Sequence, residues 1–129
     1  MQYILTFLAS AVTFLGLDFF WIKFVAKPEL DKIASSYLAE KPNLAAVAVF
    51  YVFYLVAVIF LVIKFSVDAK GAASLGFLVG LIAYGTYEFT NMSTLSNWSW
   101  KMVVLDTLWG GFLTAVVCLV GFVVYSRLS

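Results

Sequence analysis

The chain has 129 residues, 64% of them hydrophobic and only 12% charged, with a net charge of +1. A soluble domain is about half apolar and a quarter charged, and one of this size leaves about a third of its surface wet, so this much apolar surface calls for lipid as the solvent. The balanced charge gives no electrostatic case for nucleic acid. The lack of histidine excludes His-ligated metal or haem and imidazole catalysis, and the single cysteine excludes an intrachain disulfide.

At roughly 20 residues per crossing, the length fits one all-α bundle domain over residues 1–129, with four spans near 2–24, 42–65, 71–91 and 100–125. The first span has no Lys or Arg before its apolar run and carries Asp18, so it reads as a retained helix and not as a cleaved signal. The link after it, near 28–40, places Leu30, Ile33, Ala34, Tyr37 and Leu38 on one helical face. Pro28 stands at its start and Glu29 and Asp31 in its first turn. This pattern reads as a short amphipathic helix lying in the membrane interface, or equally as a surface helix joining two spans. Pro42 suits the opening turn of the second span, where no amide donor is needed. The short links 66–70 and 92–99 imply antiparallel neighbours and an up-down bundle.

Lys23, Lys64, Lys70, Lys101 and Arg127 mark the span ends, and Tyr3, Trp21, Trp98, Trp100 and Tyr125 fit interfacial aromatic belts. Face X is the membrane face reached at the end of the first span. Lys23, Lys27, Lys32, Lys41 and Lys101 lie there, against Lys64, Lys70 and Arg127 opposite, which leans towards a cytoplasmic face X.

Three carboxylates interrupt the apolar spans near face X: Asp18, Glu88 and Asp106. An acid at the bilayer centre costs about 2.5–3.5 kcal/mol, and intramembrane ionisable residues are functional candidates for that reason. Leu17-Asp18-Phe19-Phe20-Trp21 and Leu105-Asp106-Thr107-Leu108-Trp109 share the pattern L-D-x-x-W, which puts an acid beside an indole donor on one helix face. On the third span Tyr84, Glu88 and Asn91 share a face, with Tyr87 adjacent. Gly76 and Gly80 continue that face as a small, close-packing strip. On the fourth, Asp106, Gly110, Thr114 and Cys118 form one row that Gly111 widens; Cys118 reads as a small packing residue.

The expected polar cavity therefore comprises Asp18, Trp21, Tyr84, Tyr87, Glu88, Asn91, Asp106 and Trp109, with Gly76, Gly80, Gly110, Gly111 and Thr114 as helix-packing positions. The bland alternative is that Lys23 and Lys101 pair with Asp18 and Asp106 merely to fix helix packing. No nucleophile–base pair, phosphate loop or metal-spaced triad accompanies the acids, and no cofactor is indicated.

Leu17-Asp18-x-x-Trp21, Tyr84-Gly85-Thr86-Tyr87-Glu88-Phe89-Thr90-Asn91 and Asp106-x-x-Trp109-Gly110, with Lys41-Pro42-Asn43, resemble domain-of-unknown-function family 2177 across nearly the whole chain. In the family pattern the third-span acid is usually Asp, where this chain has Glu88. The resemblance implies a small, multi-pass bacterial inner-membrane protein of four helices and supplies no activity. Three functions are compatible with these residues. One is binding or transport of a small cation, proton or lipid head group, with membrane lipids and either further copies or a partner membrane protein. The second is a membrane enzyme acting on a lipid through carboxylate acid–base groups or metal ligands. The third is an accessory subunit of a larger complex.

Overall fold

Three short polar side chains set where helices begin. Asn43, Asp68 and Ser99 each accept a hydrogen bond from the backbone amide three residues on, at 3.1, 2.7 and 3.1 Å. Each thereby satisfies one of the amides that a helix start leaves without a partner. The computed structural model describes residues 1–34 and 43–129. It comprises α1 (Gln2–Trp21), a π-helical turn (Ile22–Ala26), α2 (Lys27–Ala34), α3 (Leu44–Val58), a second π-helical turn (Ile59–Ile63), α4 (Ala69–Thr94) and α5 (Trp100–Arg127). The expected interfacial helix is therefore described only as far as Ala34; its remainder, and Pro42, lie outside the described residues.

α1, the first π turn and α2 form one unbroken helix, Gln2–Ile33, of 32 residues. The expected break near Phe24 is absent. Pro28 explains what happens instead. It has no amide hydrogen to give the Phe24 carbonyl, and the turn just before it is widened, with the Lys27 amide reaching back to the Ile22 carbonyl. The helix absorbs the proline as a π bulge. At 1.5 Å per residue it is about 48 Å long, well beyond the roughly 30 Å hydrocarbon layer. Leu30 and Ile33 on α2 pack against the cluster formed by Ala26, Trp98 in the link before α5, and Met102 and Val103 at the start of α5. Glu29 meets Lys101 at 2.8 Å. Leu30 and Ile33, the part of the link's apolar stripe with described side chains, are thus turned onto the bundle.

Among the described residues, four helices are long and apolar enough to cross a membrane, so this is an all-α membrane bundle. α5 is its hub, packed on α4 along one side and on α1 along another. Gln2 donates to the Tyr125 carbonyl at 2.9 Å, tying the start of α1 to the end of α5. α3 is buried only in its second half, through Tyr54, Leu55 and Val58, continued by Ile59, Val62 and Ile63 in the π turn. From Leu44 to Phe50 every residue is exposed. The first half of α3 therefore stands away from its neighbours and leaves a cleft beneath α2.

Glycine decides how α4 meets α5. A methyl group on Gly80 would collide with the backbone of Gly110 and Gly111, and one on Gly76 would meet Cys118 and the Thr114 carbonyl. The two small strips face each other at backbone contact, which is how helices associate where lipid removes the hydrophobic drive.

Candidate functional site

The i+4 row on α4 runs Ala72, Gly76, Gly80, Tyr84, Glu88, and its contacts on α5 change with it. Gly80 touches Gly110, and the Tyr84 ring lies directly over Gly110. One turn further, Glu88 comes within hydrogen-bond reach of Asp106. The close approach at the glycines thus carries two carboxyl groups, on different helices, into each other's company. Glu88 is fully buried, while Asp18 and Asp106 are 5% and 8% exposed.

Each acid accepts from an indole. Trp109 donates to Asp18 at 3.3 Å and Trp21 to Asp106 at 3.0 Å, while Trp98 donates to Glu88 at 2.9 Å. The two L-D-x-x-W segments therefore exchange their tryptophans: each indole serves the acid of the other helix. Antiparallel packing explains the exchange. An indole three residues beyond its own aspartate on α1 lies level with the aspartate of α5, and the converse holds. The exchanged rings stack, with centroids 4.7 Å apart and planes 2° from parallel.

Lys23 and Lys101 do not pair with the aspartates. Lys101 bonds Glu29, and Lys23 lies over the Phe19 and Phe24 rings at 5.8 and 5.4 Å. Uncharged donors, not cations, hold Asp18 and Asp106.

Two donors were not among the candidates. Tyr51 gives Asp18 a 2.7 Å bond. It stands three residues before Tyr54, whose hydroxyl shares a 2.7 Å bond with Thr114. Two tyrosines one turn apart in α3, which has no other side-chain hydrogen-bond donor, are the available signal. Trp98 had been assigned to an interfacial belt, yet it is 8% exposed and serves Glu88; Trp21 likewise belongs to the stack. Trp98 sits in a link, outside any helical row, so periodicity could not place it. Trp100 and Tyr3 are exposed and Tyr125 is half-buried, Tyr3 stacking on Phe60 and tilting against Tyr125.

The cleft beneath α2 encloses about 670 Å³. Asp18, Trp21, Tyr84, Tyr87, Glu88 and Asp106 all line it. Trp109 stands behind Asp18, and neither Trp109 nor Asn91 lines the cleft. The rest of the wall is mostly apolar, including Ile22, Val47, Phe50 and Met102. The space is thus an apolar cleft with a row of acids along one side, and not a polar cavity throughout. Among the described residues, no three of its acids gather tightly enough to hold a metal ion; they lie in a line across α1, α5 and α4.

Four spans, up-down packing and a membrane-depth row of carboxyls define a small multi-pass helical membrane protein. A family model described as predicted membrane protein, DUF2177, matches residues 3–123, and the chain belongs to that family. No curated protein and no solved structure matches it.

Proposed function

We propose that this is a bacterial inner-membrane protein that binds an amphiphile taken from the bilayer, with its head at the carboxyl row and its tail along the apolar wall of the cleft. The observation that carries this reading is the Glu88 carboxyl. It is fully buried and lines the cleft. Its Oε1 is bonded to Trp98, but its Oε2 has no donor. The neighbouring Asp106 carboxyl is an acceptor while ionised, and it meets Glu88 only through a proton held by one of the two. A buried acceptor without a donor costs about 1–3 kcal/mol, which a bound ligand would offset. The volume falls in the usual range for small-molecule sites, about 300–1,000 Å³. The exposed lips, Val47 and Phe50 on α3 and Thr86 and Tyr87 on α4, face lipid in a membrane and give an amphiphile a lateral way in.

The test is native mass spectrometry on protein extracted in mild detergent from the inner-membrane fraction, wild type beside Ala46→Trp. Ala46 is exposed on the cleft wall and bonds none of the acids, so an indole there fills the space and leaves the acids' donors in place. The wild type is expected to retain an amphiphile mass that the variant loses, and the same spectrum reports the oligomeric state. Identical adducts on both chains, or none on either, would sink the reading; recovery outside the inner membrane would sink the location.

A further inference from the structure

The pattern of satisfied and unsatisfied oxygens narrows the ligand's head group. Both oxygens of Asp18 already receive donors, from Tyr51 and Trp109. Asp106 receives one, from Trp21 on Oδ1. Glu88 Oε2 receives none and is buried. The available chemistry is therefore two adjacent acceptors, Glu88 Oε2 and the remaining side of Asp106, on a wall where no Lys or Arg stands among the described residues. An acceptor needs an N–H or O–H donor, which a quaternary ammonium lacks. Two carboxyls ionised side by side need positive charge, which an alcohol lacks. A phosphate would bring a further negative charge to the acids. A protonated amine supplies both the donor and the charge, and hydrogen bonds between charged partners are about twice as strong as neutral ones.

We infer that the amphiphile is a lipophilic primary or secondary amine, its ammonium donating to Glu88 Oε2 and Asp106 and its hydrocarbon tail lying along Val47 and Phe50 to leave between α3 and α4. This rests on the reading of the cleft as an amphiphile site and names the ligand class for it.

The experiment uses the full chain in phosphatidylcholine nanodiscs, following the intrinsic tryptophan fluorescence, to which Trp21, Trp98 and Trp109, each bonded to one of the acids, contribute. Dodecylamine, dodecyltrimethylammonium and dodecanol are titrated against the wild type, Glu88→Gln, Glu88→Asp and Ala46→Trp. Dodecylamine is expected to saturate the wild type at concentrations roughly tenfold below the other two probes, the scale of one charge-assisted hydrogen bond. Glu88→Gln should abolish that preference, and Glu88→Asp, with its shorter reach, should weaken it. Should Glu88→Gln fail to fold, the Glu88→Asp comparison decides. Equal affinity for the three probes, or a preference that survives both substitutions, would overturn the amine assignment; a proton shared between Glu88 and Asp106 would then account for the open oxygen. In that case sensitivity of the signal to Ala46→Trp would still support an amphiphile cleft. A response that saturates with no probe and ignores Ala46→Trp would defeat the cleft reading itself.

Discussion

At the scale of single residues, the site is a problem in supplying donors to buried acids. Cations are the usual answer, and this chain uses indoles and a phenol. Interhelical side-chain hydrogen bonds in membranes are modest, averaging about 0.6 kcal/mol with a maximum near 1.7, so the arrangement's weight lies in what happens when a donor is removed. Asp18 has two donors and Glu88 has one. Trp98→Phe should therefore destabilise more than Trp109→Phe, by about 1–3 kcal/mol for the Glu88 acceptor left without a partner. Unfolding by SDS titration in mixed micelles measures this, and equal losses would show that the indoles act through packing alone. The acids themselves were legible from sequence because charge is rare in apolar runs. Their partners were less so, because a hydrogen bond to another helix leaves no mark on the donor's own periodicity.

At the scale of elements, the glycine strips set the distance between α4 and α5, and that distance sets where Glu88 meets Asp106. Gly80→Ala would drive a methyl group into the Gly110 backbone, which cannot rotate away. Overpacking typically costs about 1–3 kcal/mol, and here it should also pry the two carboxyls apart. Gly16 is the internal control, since nothing lies within 4 Å of a methyl group there. Gly16→Ala should be neutral or stabilise α1 by about 0.5–1 kcal/mol through helix propensity. Thermal stability of both variants in detergent measures the contrast, and a Gly80→Ala protein as stable as Gly16→Ala would remove the glycine contact as the spacing element. The rows themselves were readable, because i+4 spacing is fixed by helix geometry. The length of the first helix was not. Pro28 with acids after it looks like a new start, and only the π turn shows that the chain runs through it.

At the scale of the whole molecule, four spans followed from composition and length, because nothing else accommodates so much apolar surface. The open cleft did not follow. It depends on α3 packing through its second half only, and Leu44 to Phe50 is apolar on every face, so no periodicity distinguishes the lip from the core. The acids, the cleft and the lipid-facing lips act together only if an amphiphile enters between α3 and α4. Photolabelling with a diazirine-bearing alkylamine, mapped by peptide mass spectrometry, tests this most directly. The account predicts adducts on the cleft residues Phe50 and Tyr87 that excess dodecylamine removes and Glu88→Gln reduces. Labelling spread evenly over outward positions such as Phe53 and Leu61, indifferent to competitor and to Glu88→Gln, would contradict it.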